Sequence, residues 1–288
     1  MFIAPTEKQN DLLDAIQELQ SLEVTSLEQA KELFTQKSIV LKDADEQEVN
    51  TLQQQFEGIN AAIAFVEKNQ KQPSMIQKLK IAKEQFTLSE LQEEVSKWNT
   101  DELVQHVENI RSSLRKKEDE LKELREKETL LRKWSVLDFY PKDIFKHPYT
   151  KTKMGVIPQA VDNAYLEILK NSELISVHEV YHTREEIGLL VTYPRKAQLE
   201  AKTELAKAHF SIVWYAFEEA PSIELKKNLE TQKAVVEAKK KVLDDLQEEK
   251  DLLRKLQLSA EVTYNELQKE QAKNELVNGE HVFVLQGW

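Results

Sequence analysis

Two histidines and a glutamate near the middle of the chain have the spacing of a zinc-peptidase motif. Residues 178–182 read His-Glu-Val-Tyr-His, which matches H-E-x-x-H. In that motif both histidines bind zinc and the glutamate acts as a general base. The chemistry requires a helix, because a helix brings two residues four positions apart close enough on one face to share a metal ion. The surrounding sequence therefore decides whether such a site can form.

The flanking residues predict a strand. The stretch "LISVHEVYH" alternates, and Val177, Val180 and Tyr181 are residue types that favour strands. Residues four apart on a strand share a face but lie about 13 Å apart, so His178 and His182 could not bind one ion. We therefore predict no metal site here, and two polar histidines on an edge or half-exposed strand.

Other catalytic signatures are missing from the sequence. It has no cysteine, no phosphate-binding glycine loop and no G-x-S-x-G motif. Paired carboxylates occur on charged helical faces, where solvated ion pairs four residues apart are the simplest interpretation. The sequence predicts a protein that is not an enzyme, with no catalytic residue, no metal and no cofactor.

The charge balance narrows the possible partners. The 288 residues carry a formal net charge of -11. A negative field repels phosphate backbones and anionic lipid, which argues against nucleic acid as a partner and favours a basic partner surface.

The longest apolar run is far shorter than the roughly 20 residues that a membrane helix needs.

Changes in composition and in hydrophobic periodicity divide the chain into five segments. They are a first lobe (1–42) that begins strand–helix–strand, a first helical arm (43–133), an α/β insert (134–220), a second helical arm (221–277) and a closing strand (278–288). The chain has only 5 glycines and 7 prolines, while 32% of its residues are charged, which favours long helices. The closing strand is expected to pair with the first lobe.

Both arms carry the heptad pattern of a coiled coil. The predicted seam of the first arm is Leu103, Val107, Ile110, Leu114, Lys117, Leu121, Leu124, Glu128 and Leu131. The predicted seam of the second arm is Leu225, Leu229, Gln232, Val236, Lys239, Leu243, Leu246, Lys250, Leu253, Gln257, Ala260, Tyr264 and Leu267. Residues 222–275 lack glycine and proline and predict one continuous helix. An antiparallel hairpin of the two arms is favoured, and a parallel dimer of either arm is the alternative.

The insert between the arms shows alternating strand and helix patterns. Strands are predicted at "MGVIP", "LISVHEVYH", "GLLVTY" and "FSIVWYAF", with helices before the second and the fourth. The order β-α-β-β-α-β is that of a ferredoxin-like domain. A compact domain whose ends meet would bring the two arms together.

The order of these features resembles the N-terminal cytosolic half of subunit I of bacterial and archaeal V/A-type ATPases, the counterpart of subunit a of vacuolar ATPases. The matching pieces are the opening "FIAPTEKQNDLLDAIQELQSLEV", the charged "IRSSLRKKEDELKELREKETLLRKW", the insert with "GLLVTYP", and the closing strand that ends in "LQGW". The resemblance covers essentially the whole chain. It implies an α+β fold: a dumbbell of two small α/β lobes joined by a long antiparallel coiled-coil hairpin, with a ferredoxin-like distal lobe.

The resemblance also implies a function, that of a stator component on the cytoplasmic side of a rotary ATPase. In the family, peripheral-stalk heterodimers bind the lobes and link them to the catalytic head, and the proximal lobe lies near the rotor cap subunit. The family's membrane half, which translocates the ion, is absent from these 288 residues, so contact with the membrane is expected only through that half. A free-standing coiled-coil scaffold with an α/β recognition domain is the alternative, and a zinc peptidase is a third hypothesis.

An aromatic segment between the first arm and the insert is the candidate partner site. Residues 136–153 read "VLDFYPKDIFKHPYTKTK", in which Phe139, Tyr140, Phe145 and Tyr149 lie among prolines and lysines. Aromatic side chains on a surface are typical binding hot spots, and lysines would attract an acidic partner. We expect either that these rings receive a peripheral-stalk end or that they fold back and cover the sheet of the insert.

Overall fold

The computed structural model describes residues 2–19, 46–70, 85–145, 147–275, 277–278 and 282–285. The chain divides into two compact units, which are unit 1 (Met1–Leu114 with Lys241–Trp288) and unit 2 (Arg115–Lys240). The predicted strand and helix between residues 22 and 36, the break at Pro73 and the terminal Gly-Trp lie outside the described residues. In the described part of the chain, no helix combines the length and the apolar character needed to cross a membrane.

The fold is of the α+β class, and helices account for most of the described residues. The helices are α1 Gln9–Leu19, α2 Glu46–Asn69, α3 Leu88–Val95, α4 Thr100–Trp134, α5 Pro141–Phe145, α6 Ala164–Lys170, α7 Gln198–Lys207, α8 Pro221–Glu248 and α9 Leu252–Glu275. The strands are β1 Phe2–Pro5, β2 Thr150–Pro158, β3 Ser176–His182, β4 Glu186–Pro194, β5 Ser211–Ile212, β6 Val277–Asn278 and β7 Val282–Leu285.

In unit 1, strands from the two ends of the chain pair with each other. β7 lies between β1 and β6 and is antiparallel to both. α1 covers this sheet, because Leu13 and Ile16 on its apolar face pack against the fully buried Phe283 of β7. The expected pairing of the closing strand with the first lobe is confirmed by these contacts.

The remainder of unit 1 is a helical core around α9. One cluster joins α2, the first part of α4, the end of α8 and α9; its buried members are Ile59, Ala62, Val66, Val107, Leu246, Leu252, Leu256 and Ala260. A second cluster packs α3 on another face of α9 through Leu91, Leu258 and Val262. Because α9 is buried on several sides, its apolar residues are not confined to one heptad stripe.

A capping box starts α3 at Thr87. The Thr87 hydroxyl accepts a hydrogen bond from the Glu90 amide at 3.3 Å, and the Glu90 carboxylate accepts one from the Thr87 amide at 2.9 Å. These two bonds satisfy amides that the first turn of a helix leaves without partners. The hydrogen bonds that the Glu90 carboxylate accepts from the Thr87 amide and hydroxyl lower the pKa of Glu90.

Burial along α4 follows the predicted heptad. Val107, Leu114, Leu121 and Leu131 are buried, and the intervening seam positions of the first arm are half-buried. The spacing of three and four residues that identifies a seam in the sequence therefore identifies the packed face of this helix. Lys117 and Glu128 occupy seam positions despite their charge.

The buried face of α8 differs from the predicted seam at alternate positions. Asn228 and Val235 are buried at 7% and 8% exposure, whereas the predicted seam residue Val236 is 50% exposed. The register predicted for the second arm is thus wrong by one residue at these steps. The sequence is ambiguous here because an apolar residue follows each buried one, and a polar contact decides between them: the amide of Gln232 donates to Asn228 at 2.8 Å and to the Glu128 carboxylate of α4 at 2.7 Å.

The second arm consists of two helices, which corrects the prediction of one. α8 ends at Glu248 and α9 begins at Leu252, although the sequence between them contains no glycine or proline. The reason is a set of contacts from other helices. The Gln70 amide donates to the carbonyls of Leu246 and Glu249 at 2.8 and 3.1 Å, and the His106 ring contacts the Glu249 carboxylate at 3.0 Å.

Unit 2 contains a four-stranded antiparallel sheet with the strand order β3-β4-β2-β5. α6 connects β2 to β3 and α7 connects β4 to β5, so the elements follow in the order β-α-β-β-α-β. α6 and α7 cover one face of the sheet through a core that includes Ile157, Leu189 and Val191. The other face packs on the end of α4 through Trp134, Met154 and Leu190.

Two strands of this sheet differ in length from the sequence prediction. β2 has nine residues and begins at Thr150, so the end of the aromatic segment belongs to the sheet. β5 has only two residues, although "FSIVWYAF" predicts a longer strand. After Ile212 the chain makes one further bond to β2, from the Val213 amide to the Met154 carbonyl at 2.9 Å, and then turns Tyr215 into the core beside α4.

Candidate docking site

The H-E-x-x-H residues lie on β3, a strand at the edge of the sheet, as the sequence predicts. The pairing register changes at a bulge between Glu179 and Tyr181. His178 pairs with Leu190, which belongs to the face that packs on α4, whereas His182 pairs with Ile187, which belongs to the face under the helices. Because paired residues share a face, the two histidines lie on opposite faces. The expectation that they share one face is therefore wrong, and they are unable to bind one ion.

The glutamate of this sequence is engaged in ion pairs. Its carboxylate lies 2.7 Å from Lys170 of α6 and 2.5 Å from the His182 ring. The hydrogen bond from Lys170 is the main cause that holds the pKa of Glu179 below its ordinary value, against the effect of partial burial. Within the described ranges, no cluster of three or more histidine or carboxylate groups could hold a metal. A zinc-peptidase site is not formed here.

A polar network beside Trp134 fixes the junction of α4 with the sheet. The Glu186 carboxylate accepts hydrogen bonds from Lys133 at 2.7 Å and from the Tyr181 hydroxyl at 2.8 Å. The Tyr181 ring packs edge-on against Trp134 with 5.1 Å between centroids. Gly188 makes room for it, because a Cβ there would lie 2.1 Å from the Tyr181 ring.

The structure separates the four predicted partner-binding aromatics into two pairs. Tyr140 and Phe145 are half-buried and pack against the cluster around Trp134, and the Tyr140 ring lies 6.4 Å from that of Tyr215. Phe139 and Tyr149 are exposed, at 37% and 79%. The expectation that the rings cover the sheet of the insert therefore holds for Tyr140 and Phe145, whereas Phe139 and Tyr149 face solvent.

The main chain around Tyr149 is held although its ring is exposed. The Arg195 amide donates to the Tyr149 carbonyl at 3.0 Å, and the Arg195 guanidinium donates to the His147 carbonyl at 3.1 Å. The Thr150 hydroxyl contacts the His147 ring at 2.9 Å. An exposed ring on a fixed backbone loses little conformational freedom on binding, which suits a contact residue.

Trp214 is an exposed aromatic residue, at 79%, that the sequence pattern does not single out. It lies within the segment predicted as the last strand, where an apolar residue is expected to be buried. The strand order explains its exposure, because the fourth strand of a β-α-β-β-α-β unit with this order lies at the edge. Alternation of "SIVWYA" would have placed Ile212 and Trp214 on one face, and Val213 and Tyr215 on the other.

Comparison with solved structures finds a structural similarity that extends over most of the chain. No family model matches the sequence, and no curated protein matches it. The chain is structurally similar to a crystal structure of the cytoplasmic N-terminal domain of subunit I, described as a homolog of subunit a of V-ATPase. The sequence identity is 13%, the TM-score is 0.47, and the alignment covers 99% of this chain and 91% of that one. This is the same subunit that the sequence resemblance names.

Proposed function

We propose that this chain is a stator component of a rotary V/A-type ATPase, the cytosolic half of its subunit I. In this role it binds peripheral-stalk heterodimers and links the catalytic head to the ion-translocating membrane sector. Its place is on the cytoplasmic side of the membrane, with the proximal lobe near the rotor cap subunit.

The observation that carries the proposal is the pairing of the two chain ends in one sheet. β7 follows the second arm and pairs with β1 over four residues, from Phe2↔Leu285 to Pro5↔Val282. The order of strand, helical arm, α/β insert, helical arm and closing strand is the order on which the sequence resemblance rests. A small sheet completed by both ends suits a part that must transmit load without taking part in chemistry.

Contacts within unit 2 support the finer features of the proposed fold. In unit 2, Gln232 of α8 contacts Glu128 of α4, and Lys239 contacts Glu118 at 2.6 Å. Contact positions rise along one helix as they fall along the other, which supports an antiparallel pair. The strand order β3-β4-β2-β5 supports a ferredoxin-like arrangement. We propose that these are the hairpin and the distal lobe of a dumbbell.

Within this function, we propose that only two of the four aromatic residues contact the peripheral stalk. Phe139 and Tyr149 are the contact residues for a peripheral-stalk end, since both are exposed. Tyr140 and Phe145 support them from within the cluster around Trp134. The nearby Lys142, whose amine lies 5.6 Å from the Tyr140 ring centroid, adds positive charge.

Copurification with the peripheral-stalk heterodimer of the same ATPase tests the proposal. The double variant Phe139→Ala with Tyr149→Ala is expected to weaken binding by about 2 kcal/mol or more and to leave the melting temperature nearly unchanged. Phe145→Ala is the matched control, and it should lower the melting temperature because its ring is packed. Failure of the wild-type chain to bind any stalk subunit would favour the free-standing scaffold instead.

A further inference from the structure

A second exposed surface lies at the β5 edge of the sheet, around Trp214. Trp214 follows β5, two residues after Ile212, which is itself 46% exposed. The Lys153 amine of β2 lies 5.6 Å from the centroid of the Trp214 ring. A tryptophan that leaves most of its side chain in water is uncommon. Together with a second exposed apolar residue, it indicates an interaction site.

Lys153, which lies beside this indole, is itself close to two other lysines, Lys151 and Lys202. Partial burial lowers the pKa of Lys153, and the positive charges of Lys151 and Lys202 lower it further. The Lys151 amine donates a hydrogen bond to the Gln198 side chain of α7 at 3.1 Å. Gln198 lies one helical turn before Lys202. Like charges held close together raise the free energy of the unbound protein, and an acidic ligand would reverse that cost.

β5 lies close to β2 beside Gly155, and this approach holds Trp214 next to Lys153. A Cβ on Gly155 would lie 2.4 Å from the Ser211 carbonyl oxygen and 2.3 Å from the Phe210 ring. Only glycine permits this approach, which fixes the backbone that carries Trp214 beside the strand that carries Lys153. Preorganised side chains lose less conformational entropy on binding.

We propose that Trp214, Ile212, Lys151, Lys153 and Lys202 form a docking site, the Trp214 patch, for an acidic segment of a partner protein. An apolar side chain of the partner covers Trp214 and Ile212, and flanking carboxylates pair with the lysines. This site is independent of the aromatic pair Phe139 and Tyr149, and the inference does not depend on the proposed stator function.

Charge favours a short acidic protein segment over a polyanion as the occupant. The whole chain carries -11, so a nucleic acid or an anionic membrane would be repelled by the remainder of its surface. A short peptide segment places its few carboxylates only at the lysines. The apolar residue of such a segment also gains from contact with the indole.

A titration with synthetic peptides tests the proposal on the whole chain. The probe is a fluorescein-labelled peptide of glutamates with interspersed leucines, followed by fluorescence anisotropy. Two comparison peptides carry serine in place of leucine, or lysine in place of glutamate. We expect binding of the glutamate–leucine peptide that weakens with added salt, at least about tenfold weaker binding of the serine peptide, and no binding of the lysine peptide.

Matched variants assign the binding to the patch. Trp214→Ala and Lys202→Glu are each expected to weaken binding about tenfold or more, and neither should change the melting temperature because both side chains are exposed. The controls are Val161→Ala, which is exposed at 85%, and Lys207→Glu, which is exposed on the same helix as Lys202. Both controls should bind like the wild type.

Three results would overturn the proposal. The first is absence of binding to the wild type, and the second is equal affinity of the Trp214→Ala or Lys202→Glu variant. The third is tighter binding of a thymidine oligonucleotide, or of phosphatidylserine vesicles, that Lys202→Glu abolishes, because the patch would then recognise a polyanion. None of these outcomes depends on peripheral-stalk subunits, so they leave the test of the stator function separate.

Discussion

At the scale of single residues, Glu186 connects α4 to the sheet of unit 2. Its side chain is 27% exposed, and its carboxylate accepts hydrogen bonds from Lys133 and Tyr181. Burial raises the pKa of Glu186, but the two hydrogen bonds outweigh it and leave the pKa below its ordinary value. The ionised form is therefore the one that stabilises the folded state.

Replacing this carboxylate should change how stability depends on pH. Because the folded pKa of Glu186 is lowered, its contribution is complete above the unfolded pKa, about 4.3, and is lost as the pH falls through the folded value. Glu186→Gln is expected to lower the free energy of unfolding by about 1 kcal/mol at pH 7, and the difference from wild type should shrink below pH of about 4.

Urea titrations at pH 7 and below a pH of about 4 measure the difference in the free energy of unfolding between variant and wild type. Glu185→Gln, at an exposed neighbouring position, is the control. A deficit in Glu186→Gln that stays constant on acidification would mean that the charge of Glu186 is not what stabilises the fold.

At the two histidines, the sequence predicts the secondary structure correctly. The prediction that both side chains share one face of the sheet is wrong. β-favouring neighbours predicted the strand correctly, since local preference and alternation agree there. The bulge at Val180 reverses which face His182 occupies, and nothing in "HEVYH" encodes it. Its cause is tertiary: Tyr181 turns inward over Gly188 to meet Trp134, and those partners lie elsewhere in the chain.

At the scale of elements, adjacent valines on α8 distinguish the observed packed face from the heptad predicted by sequence. Val235 is buried and Val236 is half-exposed. Val235→Ala should lower the free energy of unfolding by about 1 to 1.5 kcal/mol, since two buried methyl groups are lost. Val236→Ala should change it by no more than about 0.5 kcal/mol, because alanine favours a helix and little burial is lost. Thermal or urea unfolding of both variants would reveal the reverse order if the predicted seam were the packed one.

The close approach of β5 to β2 makes Gly155 sensitive to substitution. Gly155→Ala places a methyl group against the Ser211 carbonyl, which the backbone can relieve only by moving β5. We expect a loss of about 2 kcal/mol of stability, measured by urea unfolding. Gly58→Ala is the matched control: the space around Gly58 on α2 is empty within 4 Å, and alanine should stabilise that helix by about 0.5 to 1 kcal/mol. A neutral Gly155→Ala variant would contradict the tight strand pairing.

The elements predicted best are those whose signals are local and periodic. α4 keeps its heptad face over nine seam positions because one stripe meets its neighbours along the helix. The second arm was predicted less well because its breaks and faces depend on distant groups. Gln70 and His106 end α8 at a place where the sequence itself would allow a helix to continue.

At the scale of the whole molecule, the proposed dumbbell predicts an extended particle. A compact chain of 288 residues would have a radius of gyration of about 19 Å. Small-angle scattering is expected to give a value well above this, with a profile of a bent rod, since polar seam positions weaken local packing. A radius near the compact value would rule out the dumbbell.

The polar contacts between α4 and α8 restrict how these two helices can align. Lys239 pairs with Glu118, and Gln232 with Glu128. Sliding either helix by one heptad would bring Lys239 opposite Arg111 or Arg125, and would bring Gln232 opposite Leu121 or Ser135. Both neighbouring alignments thus create a like-charge pair, and the one that places Gln232 opposite Leu121 also leaves its amide without a polar partner. A purely apolar seam would pack more tightly but would tolerate such slippage. The polar residues between α4 and α8 lower the stability of the pair and favour one alignment, which fixes the length of the helix pair.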